Sequence, residues 1–115
     1  MNPVTAAPSP GRLYEILVPT MRRKDDKPIK LRYHRVWDAK VRAISGGLTV
    51  MPPAKGQWLC NEGNLFAERV IPVRFLATPE QARAVAEMTL DYYDQLAILC
   101  YVISTEVMLI HKDET

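Results

Sequence analysis

Between two helix-like stretches the chain carries Gly46-Gly47-Leu48-Thr49-Val50, then Gly56-Gln57-Trp58, the turn Asn61-Glu62-Gly63-Asn64, and Glu68-Arg69-Val70 on the way back. Glycine reaches left-handed backbone conformations at no steric cost, and turn residues between extended apolar runs mark a hairpin. A hairpin at mid-chain, with a helical segment on each side, restricts the order of elements more than any other feature.

The flanks complete that order. Leu13 to Val18 is a β-branched and aromatic run closed by Pro19, a first strand. Asp25 or Asp26 is placed to cap a helix with Pro28 in its first turn. Ile29, Tyr33, Val36, Trp37, Val41 and Ile44 recur at helical steps until Gly46-Gly47 stops them. In the hairpin, Cys60 opposite Leu65 sets Pro53 against Pro72 and Val50 against Phe75, so both proline interruptions fall at one level and predict a bulge. Thr78-Pro79-Glu80-Gln81 is a capping box with proline at the first helical position. Ala82, Val85, Met88 or Thr89, Tyr92 and Leu96 then form a buried stripe, and Ile98 to Ile110 reads as the last strand.

Strand, helix, strand, strand, helix, strand predicts an α+β sandwich of ferredoxin-like β-α-β-β-α-β type, an antiparallel sheet with both helices on one face. The expected organisation is a leader over residues 1–11 and a single domain over residues 12–112. The last strand is apolar on both sides: Leu99, Tyr101, Ile103, Val107 and Leu109 on one, Ile98, Cys100, Val102, Met108 and Ile110 on the other. An uncovered apolar face of that kind marks a partner surface, so the second set is expected to form the interface of a homo-oligomer, a dimer or tetramer.

A chain of 115 residues, 48% hydrophobic and 24% charged, has the balance of one folded domain. Its net charge of +2 gives no general attraction to polyanions, although Arg22 to Arg42 holds nine Lys/Arg against three Asp, +6, leaving −4 for the rest. Cys60 and Cys100 form no Cys-x-x-Cys pair or Cys/His cluster, so no metal site is expected and both read as reduced thiols. Met1 to Gly11 lacks the basic start and apolar stretch of a signal peptide, and the run Ala97 to Ile103 is too short to cross a bilayer. The expectation is a cytoplasmic protein without membrane contact.

The residues that could carry chemistry are few. Glu68 and Arg69 sit in the hairpin with Gln57 and Trp58 near them across the turn, where a carboxylate beside an indole and an amide can bind a small polar ligand or accept a proton; a cross-strand Trp–Arg or Glu–Arg contact that stabilises the hairpin is the competing reading. His34 has Asp38 at i+4, a spacing for an oriented imidazole or for a solvated surface pair. Tyr14, His34, Trp58, Glu68 and Arg74 are the candidates to line a pocket between sheet and helices. No nucleophile accompanies them, and neither a catalytic triad nor a phosphate-cradling glycine loop is present in the sequence, so no cofactor is called for. Tyr33 and Trp37 interrupt the basic stretch but fall on the apolar stripe, which disfavours nucleic acid as a partner.

The central motif, Gly47 to Val50, Gly56 to Trp58, Gly63 and Glu68, resembles a group of small uncharacterised bacterial proteins that share a Gly-Leu-Thr-Val strand, a Gly-x-Trp, a glycine turn and a returning Glu. The resemblance covers about a quarter of the chain. It implies a similar α+β fold and a mobile-element or accessory-gene setting, with no agreed activity. Three functions stay open on the sequence. The favoured one is a non-enzymatic oligomeric module that binds a small molecule or protein. The others are a cofactor-free enzyme in the style of dimeric α+β barrels, and nucleic-acid binding through the Arg22–Arg42 face.

Overall fold

The computed structural model describes residues 11–112, so the expected leader, Gly11 apart, lies outside the described residues. The elements are β1 (Arg12–Pro19), α1 (Leu31–Ser45), β2 (Thr49–Val50), β3 (Ala54–Leu59), β4 (Leu65–Ala77), α2 (Pro79–Tyr92) and β5 (Cys100–Ser104). Strands run β2-β4-β1-β5 across an antiparallel sheet, and β3 continues β2 along the same partner, β4. This is the ferredoxin-like α+β sandwich read from the order of elements.

Both helices pack on one face. Ile16 and Val18 of β1 and Val73, Phe75 and Ala77 of β4 are buried there against Trp37 and Val41 of α1 and Ala82, Val85 and Tyr93 at α2. Because successive strand side chains alternate between faces, Leu13, Glu15 and Leu17 of β1 take the opposite side, with Leu76, Arg74 and Pro72 of β4 opposite them in register. The helices are joined through polar groups that burial obliges to pair. The Trp37 indole N–H donates to Thr89 Oγ1 at 2.9 Å, and that hydroxyl donates to the Val85 carbonyl at 2.6 Å. Tyr33 and Tyr92 stack with ring centroids 4.2 Å apart, and each hydroxyl donates to the other residue's carbonyl.

Several local expectations change. Asp25 and Asp26 do not cap α1: they belong to a tight turn in which Arg22 N–H donates to Lys27 O and Asp26 N–H to Arg22 O, both at 2.8 Å. The helix begins later, with Lys30 at the N-cap and no side-chain cap. The hairpin pairs Leu59, not Cys60, with Leu65, because Cys60 N–H closes the turn on Asn64 O at 3.0 Å with Gly63 left-handed (φ 83°). A bulge is present but in another register: Val50 pairs with Val73 and not Phe75, Met51 N–H donates to Pro72 O at 2.9 Å where Pro53 was expected, and Ala54 pairs with Val70, so the β2–β3 side carries one extra residue around Pro52-Pro53. The capping box at Thr78 and Gln81 forms as read. α2 stops at Tyr92, however, so Leu96 falls outside it and is exposed. β5 ends at Ser104 and not at Ile110, because the Ser104 hydroxyl folds onto Glu106, donating to its carbonyl at 2.8 Å and accepting its N–H at 3.1 Å. Among the described residues no helix is long and apolar enough to cross a membrane.

The Trp37–Thr89 link carries a stability prediction. Thr89→Val keeps the side-chain volume but leaves the buried indole N–H without an acceptor. We expect a loss of about 1–3 kcal/mol, read as a lower urea midpoint with an unchanged slope. An unchanged midpoint would show that the hydrogen bond contributes nothing to the packing of the two helices.

Candidate functional site on the open sheet face

β1 stops supporting β4 at the pair Pro19–Val70. Beyond it, residues 65–69 of β4 pair only with β3, making a two-stranded arm whose last tie to the body is the Thr20 hydroxyl, donating to Arg69 O at 2.8 Å. The molecule measures 62 × 30 × 23 Å, with a radius of gyration of 16.9 Å. A compact domain of this length has about 13 Å. The arm's tip is apolar and solvated: Leu59 is 73% exposed, Leu65 62% and Phe66 56%.

At the base of the arm a cavity of about 400 Å³ opens on the face away from the helices. Trp58 and Glu68 of the arm, Val70 at its root, Leu17 and Pro19 of β1, and Leu99 before β5 line it. The Gly-x-Trp spacing now has a physical reason. A Cβ on Gly56 would stand 3.2 Å from the Trp58 Nε1 and 3.4 Å from Cε2 and Cζ2, so the missing side chain lets the indole fold back across the strand. Gly56 is also the residue opposite Glu68, which brings indole and carboxylate to one level of the arm. A wider groove of about 1,090 Å³ continues past Lys55, Phe66 and Arg69.

A second polar group lies further along the same face. Glu15, 8% exposed, accepts from Arg74 Nε at 3.0 Å and from the Tyr101 hydroxyl. That hydrogen bond to the carboxylate, with burial adding to it, pushes the Tyr101 hydroxyl up to about 12. Glu15 therefore holds Arg74 and Tyr101 together in the middle of an otherwise apolar face, with Leu13, Leu17, Leu99 and Ile103 around it.

Of the five residues proposed from the sequence, Trp58, Glu68 and Arg74 share this face. Tyr14 does not: it stacks on Phe75 on the helix side, ring centroids 5.9 Å apart. His34 sits between the helices, where its Nδ1 meets the Tyr93 hydroxyl at 2.6 Å; Asp38 is not its hydrogen-bond partner. Burial lowers the His34 pKa, against the opposing pull of Asp38, and raises that of Tyr93. The residues assigned to the open side of the last strand also change place. Ile98 and Cys100 pack against the core, Val102 pairs with the helix-side Tyr14, and Met108 and Ile110 lie beyond the end of β5. Burial pushes the Cys100 thiol up to about 11. Sequence reasoning missed Glu15 and Tyr101; the available signal was a lone carboxylate inside the apolar run Leu13 to Val18. Among the described residues no group of three or more His, Cys, Asp or Glu comes together that could hold a metal ion.

No protein-family model matches the chain, and no curated protein matches it in sequence. Solved structures do match. The periplasmic divalent cation tolerance protein CutA from Archaeoglobus fulgidus aligns with a TM-score of 0.62 at 12% identity, covering 85% of this chain and 86% of that one. CutA from Synechococcus elongatus aligns at 0.55 and 17% identity, covering 81% and 74%. A phage SAM lyase in complex with S-methyl-5'-thioadenosine aligns at 0.62 and 12% identity, covering 83% and 81%. The likeness is one of fold.

The burial of His34 predicts a pH dependence of stability. A folded-state pKa below the ordinary 6.5 means that the unfolded chain binds the proton first. Stability is therefore full above that value and declines as pH falls below it toward the folded pKa. Urea midpoints from about pH 8 to about pH 5 should fall in the wild type and fall less in His34→Gln. Equal slopes in the two proteins would remove His34 as the cause.

Proposed function

We propose that this protein is a self-associating small-molecule-binding module whose site is the Trp58–Glu68 cavity on the open sheet face. The observation that carries the reading is the meeting of an indole and a carboxylate in one apolar recess, a combination that suits a ligand with a flat ring and a positive or hydrogen-bonding centre. Self-association follows from the arm. A two-stranded ribbon with an apolar tip is marginal in water on its own, and further copies of the chain supply apolar surface to cover it.

The phage SAM lyase bound to S-methyl-5'-thioadenosine supports a nucleoside thioether or sulfonium as the ligand class. The chemistry of this cavity agrees: the indole and the Leu17, Val70 and Leu99 side chains suit an adenine ring and a thioether, and Glu68 suits a cationic sulfur or a ribose hydroxyl. The same cavity supports a second reading, turnover, because a carboxylate in an apolar recess is placed to accept a proton.

Calorimetric titration tests both readings. We expect S-adenosylmethionine, with its charged sulfur, to bind more tightly than S-methyl-5'-thioadenosine. Glu68→Gln should abolish that difference, and Trp58→Ala should weaken both by about tenfold or more. Absence of binding by both compounds, or binding indifferent to both substitutions, would refute the assignment. Release of S-methyl-5'-thioadenosine from S-adenosylmethionine, lost in Glu68→Gln, would select turnover over binding alone.

A further inference from the structure

A second cavity, about 500 Å³, shares no lining residue with the first. It lies between the β1–α1 connection, the start of α1 and the end of α2, and its charge is one-sided. Arg22, Arg23, Lys24, Lys27, Lys30 and Arg32 line it, with Asp94 the single carboxylate among the lining residues. Arg23 consumes that carboxylate, at 3.3 Å, and Arg22 pairs with Asp25 at 2.9 Å. Lys24, Lys27, Lys30 and Arg32 make no ion pair among the described residues, and the neighbouring Asp25 is engaged by Arg22 and by the Lys27 N–H, so four cationic side chains line one recess without an ion-pair partner of their own.

Two further observations concern the backbone that carries these exposed side chains. The connection is braced: the Arg22–Lys27 turn is closed by two backbone hydrogen bonds, Ile29 N–H donates to Thr20 O at 2.9 Å, and Arg23 Nε donates to Asp94 O at 2.8 Å, tying the turn to the end of α2. The start of α1 is also electrostatically inverted. A helix N-terminus carries partial positive charge and favours acids, yet the first turn of α1 has none and the N-cap has no side-chain acceptor. Lys30 and Arg32 stand there instead. An anion in the recess would reverse the sign of that repulsion, and exposed backbone N–H groups at the helix start would contribute to its binding. Pro28, Ile29 and the tyrosine rings supply the less polar part of the lining.

We propose that this recess binds an organic phosphate: a small molecule whose phosphate chain lies against Lys24, Lys27, Lys30 and Arg32 and whose less polar part rests on the Pro28–Ile29 side. The volume falls in the range of small-molecule sites, about 300–1,000 Å³. Concavity separates this reading from a nucleic-acid surface. The four free cations converge on one recess, and Tyr33 and Tyr92 are stacked on each other with both hydroxyls engaged, so no tyrosine pair stands ready as a platform for successive bases.

Calorimetry on the full chain at physiological ionic strength, with ATP, inorganic tripolyphosphate and adenosine as probes, tests the proposal. ATP should bind, tripolyphosphate more weakly, and adenosine not through this recess. Lys30→Gln/Arg32→Gln should weaken ATP by about tenfold or more, and Lys24→Gln/Lys27→Gln, in the turn and away from the helix, should do the same if the first pair fails to fold. Tripolyphosphate, which has no ring to offer the thioether cavity, should be weakened by the same double variants, which separates this recess from that cavity. No ATP binding, ATP binding indifferent to the folded double variants, or a single-stranded oligonucleotide that displaces ATP while binding more tightly would each overturn it.

Discussion

Two helices cover one face of this sheet, and the helix side is closed by a core centred on Trp37, Phe75 and Val85. The other face is left with Leu13, Leu17, Leu99 and Ile103 around the Glu15–Arg74–Tyr101 group. The arm continues that side of the sheet past the point where β1 can support it. Burial of apolar surface contributes about 25 cal/mol per Å², and an apolar arm and face exposed together forgo that stabilisation. The arm, the open face and the cavity at their junction are thus three consequences of one shortage: the chain has more sheet than it has helix to cover.

The polar residues on that face fit the same account. Glu15 lies in the body of the sheet, where an isolated carboxylate would be costly, and Arg74 and Tyr101 make it tolerable by supplying two donors. Covering the face with a second copy would bury this trio further without leaving it unpaired. Glu68 is placed differently, on the arm and at the edge of a cavity, where its carboxylate remains available to a ligand. In the proposed function the two glutamates divide the face between association and binding. The basic recess at the helix end stands apart from both, with its charge set by the β1–α1 connection and not by the sheet.

The fold was legible wherever the determining interaction is local. The capping box at Thr78 and the glycine stop after Ser45 involve residues close in sequence and formed as read, whereas the bulge at Pro52-Pro53 formed in a register other than the one expected. Errors arose where distant contacts decide. The register of β5 against β1, Cys100 opposite Ile16, sets which of its two apolar sets faces the core, and two equally apolar sets hold no record of that choice. Ser104 ends the strand through a hydroxyl turn that outweighs the apolar content of Val107 to Ile110. The site was half legible for the same reason. Trp58 and Glu68 lie on one side of a single hairpin, two residues out of direct register, whereas Glu15 meets Arg74 and Tyr101 over 59 and 86 residues of chain. His34 was drawn toward Asp38 by spacing, but burial between the helices gives it Tyr93 instead.

The central claim is that copies of this chain cover one another's arm and open face. Light scattering across a dilution series measures it directly. The account predicts a mass that is a whole multiple of the single chain's and is stable into the micromolar range. It also predicts dissociation on Leu59→Lys/Phe66→Lys at the arm tip, with helix content retained. A monomer at all concentrations, or an oligomer indifferent to charges placed on the arm, would contradict it.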